Sequence, residues 1–193
     1  MIVIGLTGGI GSGKSTLLSW FKSKSIPVFE SDKVANELLN TKLREEVSLH
    51  FGANLYATGS LDTQALAALI FENNNLLQTL NSIVHPAVAH AFTLFLKTNS
   101  KAKAVVKEAA ILFETGAYKQ CDFMILVCAP KEERIARVMR RDSVSRGAVL
   151  ARMNHQWSDA NKRTLADAVI ENTNIEEATH QLEQLLKEQL EGL

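Results

Sequence analysis

Cysteine, net charge and long apolar runs are all scarce in this 193-residue sequence. Its two cysteines, Cys121 and Cys128, have no metal-site spacing with each other or with a histidine. Two cysteines in a chain of this length do not suggest a disulfide framework. We therefore expect two reduced thiols near a buried strand.

The absence of net charge excludes further classes of partner. The formal net charge is +0 and the pI is near 7.0, so no global field draws the chain to nucleic acid or to an anionic membrane. The first apolar run is too short for a membrane span or a signal peptide. We expect a cytoplasmic protein with no nucleic-acid partner and no membrane partner. Hydrophobic residues make up 46% of the chain, enough for a sizeable core.

The most informative segment that is present covers residues 8–15, Gly-Gly-Ile-Gly-Ser-Gly-Lys-Ser. It fits the P-loop pattern G-x-x-x-x-G-K-[ST]. Residues 2–6 before it have the character of a buried strand, and residues 16–21 after it continue as an amphipathic helix. The other interpretation, a glycine-rich turn with an exposed lysine, leaves these flanks without explanation.

Such a loop binds polyphosphate. Glycines let successive backbone N–H groups point at one anion, and the helix N-terminus adds partial positive charge. Lys14 can reach the β- and γ-phosphates of ATP, and the Ser15 hydroxyl can ligate Mg²⁺. The residues expected to hold the phosphates are Gly9, Gly11, Ser12, Gly13, Lys14, Ser15 and Thr16.

Apolar segments separated by helical ones predict the fold class. The strand candidates are residues 2–6, 26–29, 104–106, 123–127 and 168–170. Strands alternating with helices predict an α/β fold with a five-stranded parallel sheet of the P-loop NTPase type. Ligands of such sheets bind at the carboxyl ends of the strands, where the P-loop and Asp32 both fall.

Residues 33–100 have helical character and predict an insertion after the second strand. Within it, Asp62 is a candidate helix N-cap, and Pro86 suits the first turn of a further helix. Near the end of the chain, Asn174 is the candidate N-cap of a final helix.

Several charged residues are candidates for catalysis. Asp32 could accept a proton from a substrate hydroxyl or orient it, or it could cap a helix beginning at Lys33. Glu108 and Glu114 flank a strand end, where either could orient Mg²⁺ through water or act as a cap or surface charge.

The segment from Lys131 to Arg152 is strongly basic, with seven basic residues against three acidic ones. Arg134, Arg137 and Arg141 recur at helical spacing and share one face. That face is either a solvated basic surface or a set of cations that closes over polyphosphate, and the neighbouring P-loop favours the second. Residues 143–147 predict a flexible turn just beyond it.

Together these elements resemble the dephospho-coenzyme A kinase family over nearly the whole chain. The matching elements are residues 4–16, 30–32, 51–52, 59–62, 85–86, 110–114, 137–142 and 166–172, with Arg146, Arg152 and Gln156. The sequence departs from the family pattern at Glu30, Thr63 and Ala110, which replace an aspartate, an arginine and a proline.

The resemblance implies transfer of the ATP γ-phosphoryl group to the ribose 3′-hydroxyl of dephospho-coenzyme A. Lys14, Asp32, Arg137 and Arg141 would be catalytic; Thr7, Asp32 and Arg137 would contact the substrate; Ser15 would hold Mg²⁺. We expect a monomer whose nucleotide-binding core comprises residues 1–32, 101–130 and 166–193. Residues 33–100 would form the acceptor domain and 131–165 a mobile lid.

Two other functions share some of these features. A kinase for a nucleotide or another small hydroxyl acceptor would have the same P-loop, carboxylate and lid. A nucleotide-dependent switch or assembly factor would bind nucleotide without transferring phosphate to a small acceptor.

Overall fold

A computed structural model of the chain describes residues 1–71 and 73–189. Five strands form one sheet in the order β2-β3-β1-β4-β5. Their bounds are β1 Ile2–Thr7, β2 Val28–Glu30, β3 Ala104–Glu108, β4 Phe123–Cys128 and β5 Ala168–Glu171. The five-stranded parallel α/β sheet predicted from the sequence is confirmed.

The central strand β1 has parallel neighbours on both sides. Ile4 is opposite Val106 of β3 and Phe123 of β4, so β1 is hydrogen-bonded along both edges. Helices cover both faces of sheets of this kind, so their strands are continuously apolar. Accordingly, Ile4 and Leu6 are fully buried. This position fixes the start of the P-loop firmly in the core.

Five helices accompany the sheet in the compact unit formed by Met1–Phe29 and Asn99–Leu193. Among the described residues they are α1 Lys14–Ser23, α6 Lys131–Asp142, α7 Arg146–Asn154, α8 Asp159–Arg163 and α9 Ile175–Gln189. Asn174 caps α9 as predicted, because its Oδ1 accepts a hydrogen bond from the Glu176 backbone N–H. The predicted turn at 143–147 is shorter than expected, since Gly147 lies inside α7.

A second compact unit, Glu30–Thr98, is helical in its described residues. It contains α2 Ser31–Asn40, α3 Arg44–Phe51, α4 Thr63–Phe71 and α5 Asn74–Thr98, with a short 3₁₀ helix at Ala53–Tyr56. Val47, Leu55 and Leu66 are among the residues of its own buried apolar cluster. Asp62 caps α4 as predicted, accepting hydrogen bonds from the N–H groups of Gln64 and Ala65.

The prediction that Pro86 begins a helix is wrong, because Pro86 lies in the interior of α5. A proline there removes one backbone hydrogen bond and costs roughly 3 kcal/mol. The helix continues because its apolar face is buried on both sides of the proline, at Leu80, Ile83 and Phe92. Burial of a large apolar side chain contributes about 1.5–3 kcal/mol, so three such residues outweigh the loss.

By length and composition alone, α5 is also apolar enough to cross a membrane. Leu80 and Ile83 of this helix belong to the apolar cluster shared with residues of α3 and α4. A single helix of this kind is weak evidence for a membrane span, and 22% of its apolar window is buried in the structure.

Candidate active site

The loop between β1 and α1 has the backbone of a phosphate cradle. Gly11 and Gly13 have φ angles of +79° and +95°, a region that side chains other than glycine rarely adopt. Space also demands glycine at these positions. A methyl group at Gly13 would lie 1.9 Å from Asn172 Nδ2, and one at Gly11 would lie 2.5 Å from the Arg134 carbonyl oxygen.

The P-loop lysine lies between two oxygen atoms. Lys14 Nζ donates a hydrogen bond of 2.8 Å to the Gly8 carbonyl and lies 3.8 Å from Glu108 Oε1. The Lys14 and Glu108 side chains are both mostly buried, so their attraction is only weakly screened by solvent. The structure thus brings the β3 carboxylate next to the predicted phosphate-binding lysine.

Hydroxyl groups are placed at both ends of this loop. Ser15 and Thr16 lie in the first turn of α1. Ser12 is fully buried, and its Oγ has no hydrogen-bond partner in the described part of the chain. Thr7 is also fully buried, and its Oγ1 donates to the Ala109 carbonyl. The expectation that Thr7 contacts substrate stays a prediction.

The α6 arginines differ in their surroundings. Arg137 Nη2 donates to the Asn172 carbonyl and to Glu133 Oε2, and a methyl group at Gly13 would lie 3.7 Å from Arg137 Nη1. Arg137 therefore borders the P-loop, as a phosphate-binding residue must. Arg141 pairs with the adjacent Asp142 and its side chain is 62% exposed. That ion pair raises the Arg141 pKa, chiefly through the hydrogen bond to Asp142.

Asn172 and Gln156 were not among the predicted site residues, and Arg134 was predicted only as one of three arginines facing polyphosphate; the structure places all three residues in contact with the P-loop. The buried Asn172 side chain donates from Nδ2 to the Ser12 carbonyl. Gln156 Oε1 accepts from the Ile10 N–H, and Arg134 Nε donates to the Ile10 carbonyl. A sequence signal existed for Asn172, a polar residue directly after an apolar strand at a sheet's carboxyl end.

Glu114 has a different partner from Glu108. Its carboxylate accepts a 2.9 Å hydrogen bond from the Trp157 N–H and forms a 2.9 Å ion pair with Lys162. The Lys162 side chain is fully buried and also donates to the Ala110 carbonyl. Of the two glutamates considered for Mg²⁺, only Glu108 approaches the P-loop lysine among the contacts described here.

Asp32 is the second residue of α2, in the helical unit. The alternative that it caps a helix starting at Lys33 is wrong. A cap residue has non-helical backbone angles, whereas Asp32 lies within the first turn and Glu30 is the extended residue before the helix. A carboxylate in the first turn is stabilised by the helix dipole.

Both cysteines are free thiols, as predicted. Burial raises the pKa of Cys121 to about 11, and burial also raises that of Cys128 to about 11. At neutral pH both remain protonated, so neither is a nucleophile. The described residues contain no cluster of three or more histidine, cysteine or acidic side chains that could hold a metal ion.

A cavity of about 580 Å³ lies at the opposite, amino end of the strands. Trp20, Pro27 and Ala104 are among the residues that line it. Pro27 precedes β2, and Ala104 is the first residue of β3. It has no residue in common with the P-loop and takes no part in the phosphate site.

The central parallel strand is followed by the loop GGIGSGKS and then by a helix, and a lysine and an arginine lie beside the loop. This arrangement defines a P-loop nucleotide-binding protein. Residues 2–177 match the protein family described as CoaE: Dephospho-CoA kinase. The chain belongs to the dephospho-CoA kinase family, and the resemblance seen in its motifs is confirmed.

Similar proteins agree along the whole chain. A dephospho-CoA kinase of Chlorobium chlorochromatii is 35% identical, covering 98% of this chain and 93% of its own length. The crystal structure of TT1252 from Thermus thermophilus is 37% identical with a TM-score of 0.87, covering 99% and 98% of the two chains. Dephospho-CoA kinase from Campylobacter jejuni is 26% identical with a TM-score of 0.68, covering 97% and 98%.

Proposed function

We propose that this protein transfers the γ-phosphoryl group of ATP to the ribose 3′-hydroxyl of dephospho-coenzyme A, giving coenzyme A and ADP. One observation carries the proposal. A complete P-loop site lies in a chain whose residues 2–177 match the dephospho-CoA kinase family. Proteins named dephospho-CoA kinase are similar to this chain over almost their full length.

Phosphoryl transfer needs positioning and charge neutralisation more than covalent chemistry. In this proposal the P-loop N–H groups and Lys14 bind the β- and γ-phosphates. Arg137, which borders Gly13, stabilises negative charge on the transferring group. Arg141 would join it once its side chain leaves Asp142.

Mg²⁺ fits the donor set of this loop. Mg²⁺ retains several water ligands and binds substrate phosphates with few protein ligands, so no dedicated cluster of carboxylates is required. Ser15 in the first turn of α1 would supply a hydroxyl ligand, and Glu108 near Lys14 could bind a coordinated water. When bound, the ion neutralises phosphate charge.

Asp32 is the proposed base or orienting group for the acceptor hydroxyl. It is exposed and follows β2, a strand of the sheet that carries the P-loop. Thr7 would lie near the same substrate. The helical unit Glu30–Thr98 would provide the acceptor pocket, and residues 131–165 the lid. The enzyme would act as a cytoplasmic monomer.

An acceptor assay tests the proposed substrate. The purified protein with Mg²⁺ and ATP should convert dephospho-coenzyme A to a product heavier by one phosphoryl group, as measured by mass spectrometry. Nucleoside monophosphates should be poor acceptors. Efficient AMP phosphorylation without turnover of dephospho-coenzyme A would contradict the proposal, and nucleotide binding without any transfer would indicate a switch.

The role of Asp32 has its own test. Asp32→Asn keeps the shape of the side chain but removes its charge, so kcat should fall by about 10²–10⁴ with ATP affinity nearly unchanged. Glu37→Gln, an exposed carboxylate on the same helix, is the matched control and should retain full turnover. Equal kcat values for the two variants would exclude a catalytic role for Asp32.

A further inference from the structure

The tip of the P-loop is held by two side chains from residues 131–165, the predicted lid. Arg134 Nε donates a 2.9 Å hydrogen bond to the Ile10 carbonyl, and the Ile10 N–H donates a 2.8 Å bond to Gln156 Oε1. Both peptide groups of Ile10 are thus bound to side chains more than a hundred positions away in sequence. These bonds orient the peptide units at the tip.

Packing adds to these hydrogen bonds. A methyl group at Gly9 would lie 1.9 Å from Arg134 Nη2, and one at Gly11 would lie 2.5 Å from the Arg134 carbonyl oxygen. Arg134 therefore covers the loop with both its side chain and its backbone. The Ile10 side chain packs against the buried cluster of Ile135, Val138 and Val149.

Arg134 is itself fixed in place. Its Nη1 donates a bifurcated hydrogen bond to the two carboxylate oxygens of Asp159, at 3.2 and 3.0 Å. The Arg134 side chain is only 11% exposed, so this ion pair is poorly screened by solvent. Because the Arg134 guanidinium is bonded both to the Ile10 carbonyl and to Asp159, it is held in one orientation.

We propose that Arg134 is a positioning residue that pre-organises the P-loop for nucleotide binding, acting through the Ile10 carbonyl. A glycine-rich loop has many accessible conformations, and a ligand that orders it loses affinity by the cost of ordering. Arg134 reduces this cost before nucleotide arrives. This inference rests on the proposed function only in taking the P-loop as the nucleotide site.

The role differs from that of a lid arginine that binds phosphate. The Arg134 contacts described here are to the loop backbone and to Asp159, and both exist without nucleotide. Because the bonds to Ile10 come from residues 134 and 156, the predicted lid is attached to the loop at two points. A closing movement that keeps both bonds would therefore have to take place within residues 135–155.

The experiment measures ADP binding in the presence of Mg²⁺ by isothermal titration calorimetry, which requires no phosphoryl transfer. Arg134→Ala should raise the Kd for ADP about tenfold, because a charge-assisted hydrogen bond that orders the loop is lost. Amide hydrogen exchange at residues 8–13 should become faster in the free variant. Arg163→Ala removes another ion-paired arginine of residues 131–165 and should leave the Kd unchanged.

The outcomes separate the two proposals. If wild-type protein does not bind ADP, the nucleotide site fails and the proposed function with it. If Arg134→Ala binds ADP as tightly as wild type, the positioning role is refuted while the proposed function stands. Should Arg134→Ala fail to fold, Arg134→Lys and Asp159→Asn replace it, and wild-type affinity in both variants would refute the proposal.

Discussion

Lys162 offers a demanding test of how residues 131–165 are attached to the sheet. Its side chain is fully buried, pairs with Glu114 at 2.9 Å and donates to the Ala110 carbonyl. Lys162→Met replaces it with an apolar side chain of similar length. The change leaves the Glu114 carboxylate, which is 12% exposed, without its counter-charge.

The magnitude follows from the burial of both partners. Removing one partner of a buried ion pair destabilises a protein by about 3–5 kcal/mol. The Glu114 carboxylate keeps its hydrogen bond from the Trp157 N–H, so we expect the lower end, about 3 kcal/mol. For a chain of this size, each kcal/mol lowers Tm by about 2–4 °C, which predicts a decrease of roughly 6–12 °C.

Thermal unfolding followed by calorimetry measures this effect. Lys119→Met, at an exposed lysine near β4, is the matched control and should change Tm little. Adding Glu114→Gln to Lys162→Met removes the unpaired charge and should recover part of the lost stability, because a neutral amide costs less to bury. If Lys162→Met lowers Tm no more than the control, the pair does not stabilise the fold and the argument is refuted.

Three further predictions concern the site and the thiols. Arg137→Ala should lower kcat by about 10³, as measured by steady-state kinetics. Arg137→Lys should also be impaired, because a lysine lacks the planar guanidinium fork, and a fully active Arg137→Lys enzyme would contradict this role. Gly13→Ala should abolish ADP binding in calorimetry, since its φ is +95° and the added methyl would lie 1.9 Å from Asn172 Nδ2; retained affinity would show that the loop can rearrange. Cys121 and Cys128, with pKa values raised from 9.0 to about 11, should resist thiol reagents at pH 8 until denaturant is added. As pH rises, the thiols ionise in the unfolded state before they do so in the folded state. The stabilisation that comes from burying the neutral thiols should therefore be complete below pH 9 and lost as pH rises through about 11. Urea unfolding of the wild type and of Cys→Ser variants across this pH range measures the effect.

The elements that the sequence predicted correctly depend on local patterns. The P-loop, the five strands and the caps at Asp62 and Asn174 each involve residues close together in the chain. Pro86 was misplaced because burial on both sides of it outweighs a local preference against helix. Local pattern is thus a good guide except where tertiary packing opposes it.

The long-range contacts that hold the P-loop in place could not be predicted from local patterns. Arg134 meets Ile10 across 124 positions and Asn172 meets Ser12 across 160. No periodicity encodes such pairs, because they depend on how β5 and α6 return to β1. The helical spacing of the arginines on α6 was visible in the sequence, but their different partners were not.

The strand order has a consequence for the order of events during synthesis. β1 is made first, yet its two neighbours are β3 and β4, and the Val3 N–H bonds to Asp122, 119 positions later. At about 5–20 residues per second, the ribosome takes several seconds or more to supply those neighbours. The helical unit Glu30–Thr98 precedes both neighbours in the chain, has its own apolar cluster and is complete earlier. The nascent chain therefore carries the apolar strand β1 without its neighbours until β3 and β4 have emerged, and chaperones that bind exposed apolar strands should bind β1 during that interval.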